Sequence, residues 1–348
     1  MDDFRLFAAR SLITLLACVP TATLHCTRAL AHPAQAIQPF VASCATDSEI
    51  SAGDRASVAQ AAMQFVQTVL SSNPTEAYSS FMADAKQNLS AEDFTAMVQR
   101  GIYPWRPFKD LHVAHTYLPK VSGGAEEQRV VCGDLSSPNT WVAVTAKPGR
   151  QQAHVVVEGQ AVNNTWAFVI WLLQNQGNWH VQFFQAVPVA MVGKSSQDFL
   201  AMARVEQQRH HDFNACVLYA TALQLAERGP NLQLGIRPEI QKDMTQLEVP
   251  RDIQGQPPFT WKFGNSSFKI LVVGPLGIGG NIYLNIEQEI AQWTDDNDAD
   301  RKNRNLIAGF KEAYPEYSDV FAGLVVAARE QAGPHGYRTV DVKAESIK

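Results

Sequence analysis

Cysteine is scarce in this 348-residue chain, with five in all, and no two of them stand at the spacing of a zinc site. Beyond the N-terminus every apolar run is shorter or more interrupted than the roughly 20 residues that a bilayer-spanning helix needs. Basic stripes are missing as well. The formal net charge of −5 excludes a general nucleic-acid binder. A phosphate loop is also lacking. Gly274-Pro275-Leu276-Gly277-Ile278-Gly279-Gly280 is spaced GxxGxGG rather than GxGxxG, and no Lys-Ser or Lys-Thr follows it. The alternation of Ile282, Leu284 and Ile286 makes the next stretch a strand, where a dinucleotide fold requires a helix. A glycine hairpin turn is expected there. Asp295, Asp296, Asp298 and Asp300 lack the central Gly and closing Glu of a calcium loop and instead mark the N-terminus of a helix. No cofactor and no metal are expected.

At the start of the chain, Arg5 and Arg10 precede a mostly apolar Ser11–Leu24 stretch. Small-residue sites follow at Ala29-Leu30-Ala31 and Ala34-Gln35-Ala36. Residues 1–36 therefore read as an export signal, and the protein as periplasmic or secreted. A rival reading is a lipoprotein signal, with Leu15-Leu16-Ala17-Cys18 as the lipobox and Cys18 as a membrane anchor. Cleavage at Ala36 leaves Cys44, Cys132 and Cys216. Cys44 and Cys132 fall in one domain and are expected to form a disulfide. Cys216, on an apolar helical face, is expected to be a buried, inert thiol.

The centre of the first domain is Trp166–Val187, two aromatic-rich runs around Gln174-Asn175-Gln176-Gly177-Asn178, a hairpin signal. In its second arm Trp179, Val181 and Phe183 alternate with His180, Gln182 and Phe184. Ahead of it, Val58, Ala62, Phe65, Val66, Val69 and Leu70 share one helical face within Asp54–Leu70. Shorter helices are expected over Thr75–Asp84 and from Ser90 to Gly101, the latter with a capping-box pair of Ser90 and Asp93. Strands are expected over Asp110–Leu118, Gln128–Asp134, Thr140–Thr145, Ala153–Val162, Trp166–Gln174 and Asn178–Val187. Helices followed by a run of antiparallel strands make an α+β layer with helices on one face of a curved sheet. That order, closed by the hairpin W-x-F-x-I-W … G-N-W-H-V-Q-F-F, resembles the nuclear transport factor two-like cone fold over residues 45–192. The superfamily includes ketosteroid isomerase and scytalone dehydratase.

The resemblance implies a cavity between sheet and helices, where enzymes of the superfamily place carboxylates, Tyr or His. Residues of those types here are Tyr103, Asp110, His112, His115, Tyr117, Asp134, His154 and His180. A buried His beside an Asp would suit a general base, because its pKa lies near neutrality. His112 and His115 differ by an odd number, so in a regular strand they face opposite sides and cannot share a metal. The aromatic loop Tyr103-Pro104-Trp105-Arg106-Pro107-Phe108 leads into the sheet and is placed to line a cavity mouth. Tyr103, Trp105, Asp110, Tyr117 and His180 form the expected ligand-binding set. No catalytic residue is assigned.

Residues 195–250 read as a helical hairpin linker opened by Ser195, whose second helix carries Phe213, Cys216, Val217, Ala220, Leu223 and Ala226 on one stripe. Over residues 198–228 this pair is similar to one degenerate tetratricopeptide repeat, and a single copy does not bury a continuous core. His210 and His211 are expected at a solvated helix end. Gln254-Gly255-Gln256-Pro257-Pro258 marks a boundary. Residues 257–345 then read as a β-β-α-β-β sheet domain, with residues 320–328 taken as strand. The function expected from all this is an exported, non-enzymatic envelope protein that binds a protein partner or a small ligand. The alternatives are an acid–base enzyme acting on a small hydrophobic substrate in the cone, and a structural self-assembly unit.

Overall fold

The computed structural model describes residues 41–342 except 72, 125 and 332, so the expected export signal and Cys18 lie outside the described residues. The fold is α+β. Two units emerge. One holds the described residues up to Ala161 together with Trp166–Val187 and Arg228–Gly235, and the other holds the remainder.

In the first unit, strand β1 (Val41–Thr46) precedes four helices, α1 (Ala52–Leu70), α2 (Pro74–Ser79), α3 (Ala85–Asn88) and α4 (Ala91–Gly101). Local chemistry sets their starts. The side chains of Ser51, Asn73 and Ser90 each accept a hydrogen bond from a backbone N–H of the first turn, and Pro74 supplies a pre-set φ at the start of α2. The single helix expected over Thr75–Asp84 is broken, because Ser80–Met82 leaves the helix and bridges to Val181.

Strands β2 (Lys109–Ser122), β3 (Gln128–Gly133), β4 (Trp141–Ala146), β5 (Gln152–Ala161), β6 (Asn164–Asn175) and β7 (Asn178–Met191) fall where the alternation placed them. Short strands β8 (Lys194–Ser195) and β9 (Leu232–Leu234) come later in the chain. The strands do not make one sheet. A curled six-stranded sheet runs β1-β2-β5-β6-β7-β8, and β3 and β4 join β9 in a separate three-stranded sheet. This arrangement explains why β5 and β6 are buried on both faces. Their concave side packs on α1, α2 and α4 through Val155, Val157, Phe168, Ile170 and Leu172. On the other side the buried ring of His154 reaches the backbone of Thr145 on β4.

The β6–β7 hairpin closes on Gln176-Gly177, both with positive φ, as a two-residue turn requires. The expected apolar face of β7 needs one correction. Trp179 and Val181 pack into the concave core, but Phe184 and Ala186 continue it, not Phe183. The side-chain phase slips by one residue beside the bridge from Val181 to Ser80 and Met82. Phe183 and Gln185 instead meet Gly229, where a Cβ would stand 2.3 Å from the Gln185 Oε1. Cys44 on β1 and Cys132 on β3 are disulfide-bonded, with Cα atoms 5.1 Å apart.

The second unit contains α5 (Ser196–Gln208), α6 (Asp212–Leu225) and α7 (Ile236–Met244). It also contains strands β10 (Phe259–Phe263), β11 (Ser266–Ile278) and β12 (Asn281–Ile290), helices α8 (Asp296–Ala313) and α9 (Tyr317–Val320), and strands β13 (Gly323–Glu330) and β14 (Gly336–Val342). The helices expected as a linker cluster with the C-terminal sheet, because α6 is apolar nearly all round. Its Phe213 meets Tyr314 and Phe310 at ring distances of 4.5 and 5.2 Å. Arg204 on α5 pairs with Glu239 and Asp243 on α7. The sheet has five strands rather than four, in the order β10-β11-β12-β13-β14, since the stretch read as one strand from Phe259 turns at Gly264-Asn265. The parallel β12–β13 pair is joined through α8, the connection such a pair requires. The glycine turn shrinks to Gly279-Gly280, with β11 running through Gly274 and Pro275. Residues up to Val320 close α9, and strand begins at Gly323.

The disulfide closes a sequence separation of 88 residues. Cys44→Ser is expected to lower the unfolding free energy by about 2–5 kcal/mol, read from urea midpoints under oxidising conditions. An unchanged midpoint would show that the bridge contributes nothing.

Candidate functional site

The concave side of the curled sheet is filled. Phe65, Phe81, Phe94, Phe168 and Phe184 are each less than a tenth exposed and pack ring on ring, with Phe65–Phe184 at 5.1 Å and Phe81–Phe94 at 5.2 Å. An opening lies instead at the rim. It is an open cleft of about 580 Å³, lined by Gln67, Leu70 and Ser71 at the end of α1 and by Arg106, Pro107, Phe108 and Leu111.

Sequence and backbone together explain this rim. Helix α1 ends with carbonyls that have no partner within the helix. Tyr103 donates its hydroxyl to the Ser71 carbonyl at 2.6 Å, and Arg106 Nη1 donates to the Leu70 carbonyl at 3.1 Å. The guanidinium lies 3.5 Å from the centre of the Tyr103 ring. A cation is favoured at this end of a helix dipole. Trp105 stacks 5.4 Å from Trp166, and Phe108 stands edge-on to Trp166 and to Phe168. The indole N–H of Trp166, fully buried behind Phe108, has no acceptor. Leu111 reaches the cleft because β2 bulges after Lys109, with Asp110 at a φ of 53°. Gly159 makes room for it, since a Cβ there would stand 2.7 Å from a Leu111 methyl.

The expected ligand-binding residues therefore separate. Tyr103 and Trp105 build the rim loop from behind, and the lining side chains are their neighbours Arg106, Pro107 and Phe108. Asp110 is exposed in the bulge. Tyr117 pairs with His154 across β2 and β5, on the face turned away from the helices. His180 is half-buried on the face of β7 opposite Trp179. Asp110, Tyr117 and His180 do not converge in the concavity.

The parity argument for His112 and His115 also fails. A second bulge in β2, at Ala114, pairs His112 with Glu158 and His115 with Val156, so both histidines point to the same side. Each is engaged separately: His112 Nδ1 lies 2.9 Å from the Asp110 carbonyl, and His115 Nδ1 lies 3.3 Å from Asp47 Oδ2. His210 is exposed, but His211, also expected in solvent, is half-buried and lies 2.9 Å from Glu206.

Electrostatics argue the same way. Burial pushes the Tyr117 hydroxyl well above the ordinary phenol range, and the charge of Asp47 adds to the shift. Burial holds His154 down to about 4, against the opposing effect of the hydrogen bond its Nε2 donates to the Thr145 carbonyl. Neither ionises near neutrality, and neither faces the cleft. Burial raises the Cys216 thiol to about 11, which keeps it protonated and unreactive. No protein-family model, curated protein or solved structure matches this chain. Among the described residues no helix is long and apolar enough to cross a membrane.

His154 generates a pH prediction. Its folded pKa of about 4 lies below the ordinary imidazole value of 6.5, so the unfolded chain binds the extra proton first. Stability is full above pH 6.5 and declines as pH falls towards 4, by about 3 kcal/mol in total. Urea midpoints at pH 7.5 and 4.5 should differ less in His154→Gln than in the unsubstituted protein. An equal difference in both would assign the pH dependence to other groups.

Proposed function

We propose that this chain is an exported, non-enzymatic binding protein that holds a small amphipathic ligand in the rim cleft of its first unit, a unit of the nuclear transport factor two-like kind. The curled sheet with helices packed in its concavity supports that family reading. The observation that carries the binding function is the cleft itself. Its volume falls in the range of small-molecule sites, its walls are largely apolar, and few polar groups line it.

The polar groups favour one class of ligand. Arg106 commits one N–H to Leu70 and has no carboxylate partner among the described residues. Trp166 adds a donor without an acceptor behind Phe108. Donors beside apolar walls suit a ligand with a carboxylate or similar oxygen-rich end and a short hydrocarbon body. Acid–base catalysis in the cone would need a polar pair open to a cavity, and Tyr117 and His154 are on the other face of the sheet.

Dodecanoate is a direct probe. Saturable quenching of tryptophan fluorescence is expected, and Arg106→Gln should weaken binding by about tenfold, the effect of losing one charge-assisted hydrogen bond. Phe108→Ala should weaken it as well. Equal affinity in all three proteins would remove the cleft as the site, provided that their melting temperatures show the variants folded.

A further inference from the structure

We propose that the second unit binds one divalent transition-metal ion of the zinc class between the α5–α6 corner and α9. Glu206 stands in the last turn of α5, His211 is the residue before α6, and Asp319 is on α9. One ligand atom from each lies within 4.8 Å of the others. His211 Nδ1 is 2.9 Å from Glu206 Oε2 and 3.7 Å from Asp319 Oδ2. Ligands held about 2.0–2.2 Å from a tetrahedral zinc ion sit roughly 3–3.6 Å from one another, so small side-chain adjustments complete the set. One imidazole and two carboxylates form a donor set for zinc or a neighbouring first-row metal rather than for calcium.

The site is graded from inside to outside. The side chains of Glu206, His211 and Asp319 are 4%, 25% and 47% exposed. At the outer end Asp319 lines a cavity of about 300 Å³ together with Lys194, Asn281 and Ser318. That cavity supplies an entry path and room for a water or substrate oxygen as a further ligand. Behind the ligands, Arg209 Nη1 lies 3.3 Å from Glu206 Oε1 and fixes the carboxylate plane. Two carboxylates against one guanidinium leave a negative charge for the cation to neutralise.

Asn214 points independently to a ligand. It is fully buried, its Nδ2 donates to Glu206 Oε2 at 2.8 Å and to the Glu316 carbonyl, and its Oδ1 has no partner. A His211–Glu206 ion pair accounts for the 2.9 Å contact but not for that orphaned oxygen or for the approach of Asp319 to the same nitrogen. Metal binding takes the lone pair of His211 Nδ1, with the ring hydrogen on Nε2.

The test uses the mature chain titrated with zinc chloride by calorimetry. A single tight site is expected, together with a rise in melting temperature. Asp319→Asn alters an exposed residue and should melt normally without zinc, yet weaken the site by at least about tenfold. His211→Gln should abolish the tight phase. With cobalt in place of zinc, the unsubstituted protein should show tetrahedral d–d absorption that both variants lose. The chain has nine histidines, so binding that is unchanged in both variants would place the metal elsewhere. No binding by the unsubstituted protein would leave the cluster as an ion pair. Either result overturns the proposal.

Discussion

Five phenylalanine rings hold the first unit in its curl. Phe65 comes from α1, Phe81 from the segment after α2, Phe94 from α4, Phe168 from β6 and Phe184 from β7, while β5 lines the same concavity with Val155 and Val157. Their mostly edge-on contacts fix ring orientation as well as distance. A large aromatic core residue is worth several kcal/mol to a fold, and here the rings also fill the concavity of the curled sheet. The open cleft lies instead at the rim, where the chain leaves the helices and enters the sheet.

Much of this was legible in the residues. The strands of the first unit were visible because Val, Ile and aromatic residues alternate over stretches bounded by Gly, Asn and Pro, and two helix starts because Ser90 and Ser195 are caps that act through their own side chains, whereas the first helix starts at Ala52, ahead of the expected Asp54, under the cap of Ser51. What could not be read was phase and partnership. The bulges at Asp110 and Ala114 and the slip between Val181 and Phe184 each move a side chain to the opposite face, and no local composition announces them. The departure of β3 and β4 to a second sheet was hidden for a related reason. Runs such as Val155-Val156-Val157 are apolar on both faces, which says that something covers each side but not what covers it.

The candidate sites show the same limit. The rim loop was recognisable from its proline-bounded aromatics, yet the lining side chain with an unshared charge is Arg106, which the search for Tyr, Asp and His passed over. Glu206 and Asp319 carry no local signal, and His211 read as a solvated helix end, because more than a hundred residues separate Glu206 and His211 from Asp319. The irregular residues His210 and Arg209 between α5 and α6 turn His211 back onto the preceding helix. Elsewhere in the second unit Asn303 donates to the carbonyls of Val326 and Tyr337 and to Thr339, and accepts from Gln288. Asn285, like Asn214, keeps a buried side-chain oxygen without a partner among the described residues.

The Cys44–Cys132 bridge joins the outermost strands of two different sheets, since β1 ends the six-stranded sheet and β3 ends the three-stranded one. An unpaired strand edge is a template on which another chain can add itself. Stitching two such edges together covalently holds each against the other and keeps both from acting as that template. A reducing compartment would release β1 to the ladder bonds of β2 alone. The bond therefore ties the solubility of the chain, as well as its stability, to the redox state of its surroundings.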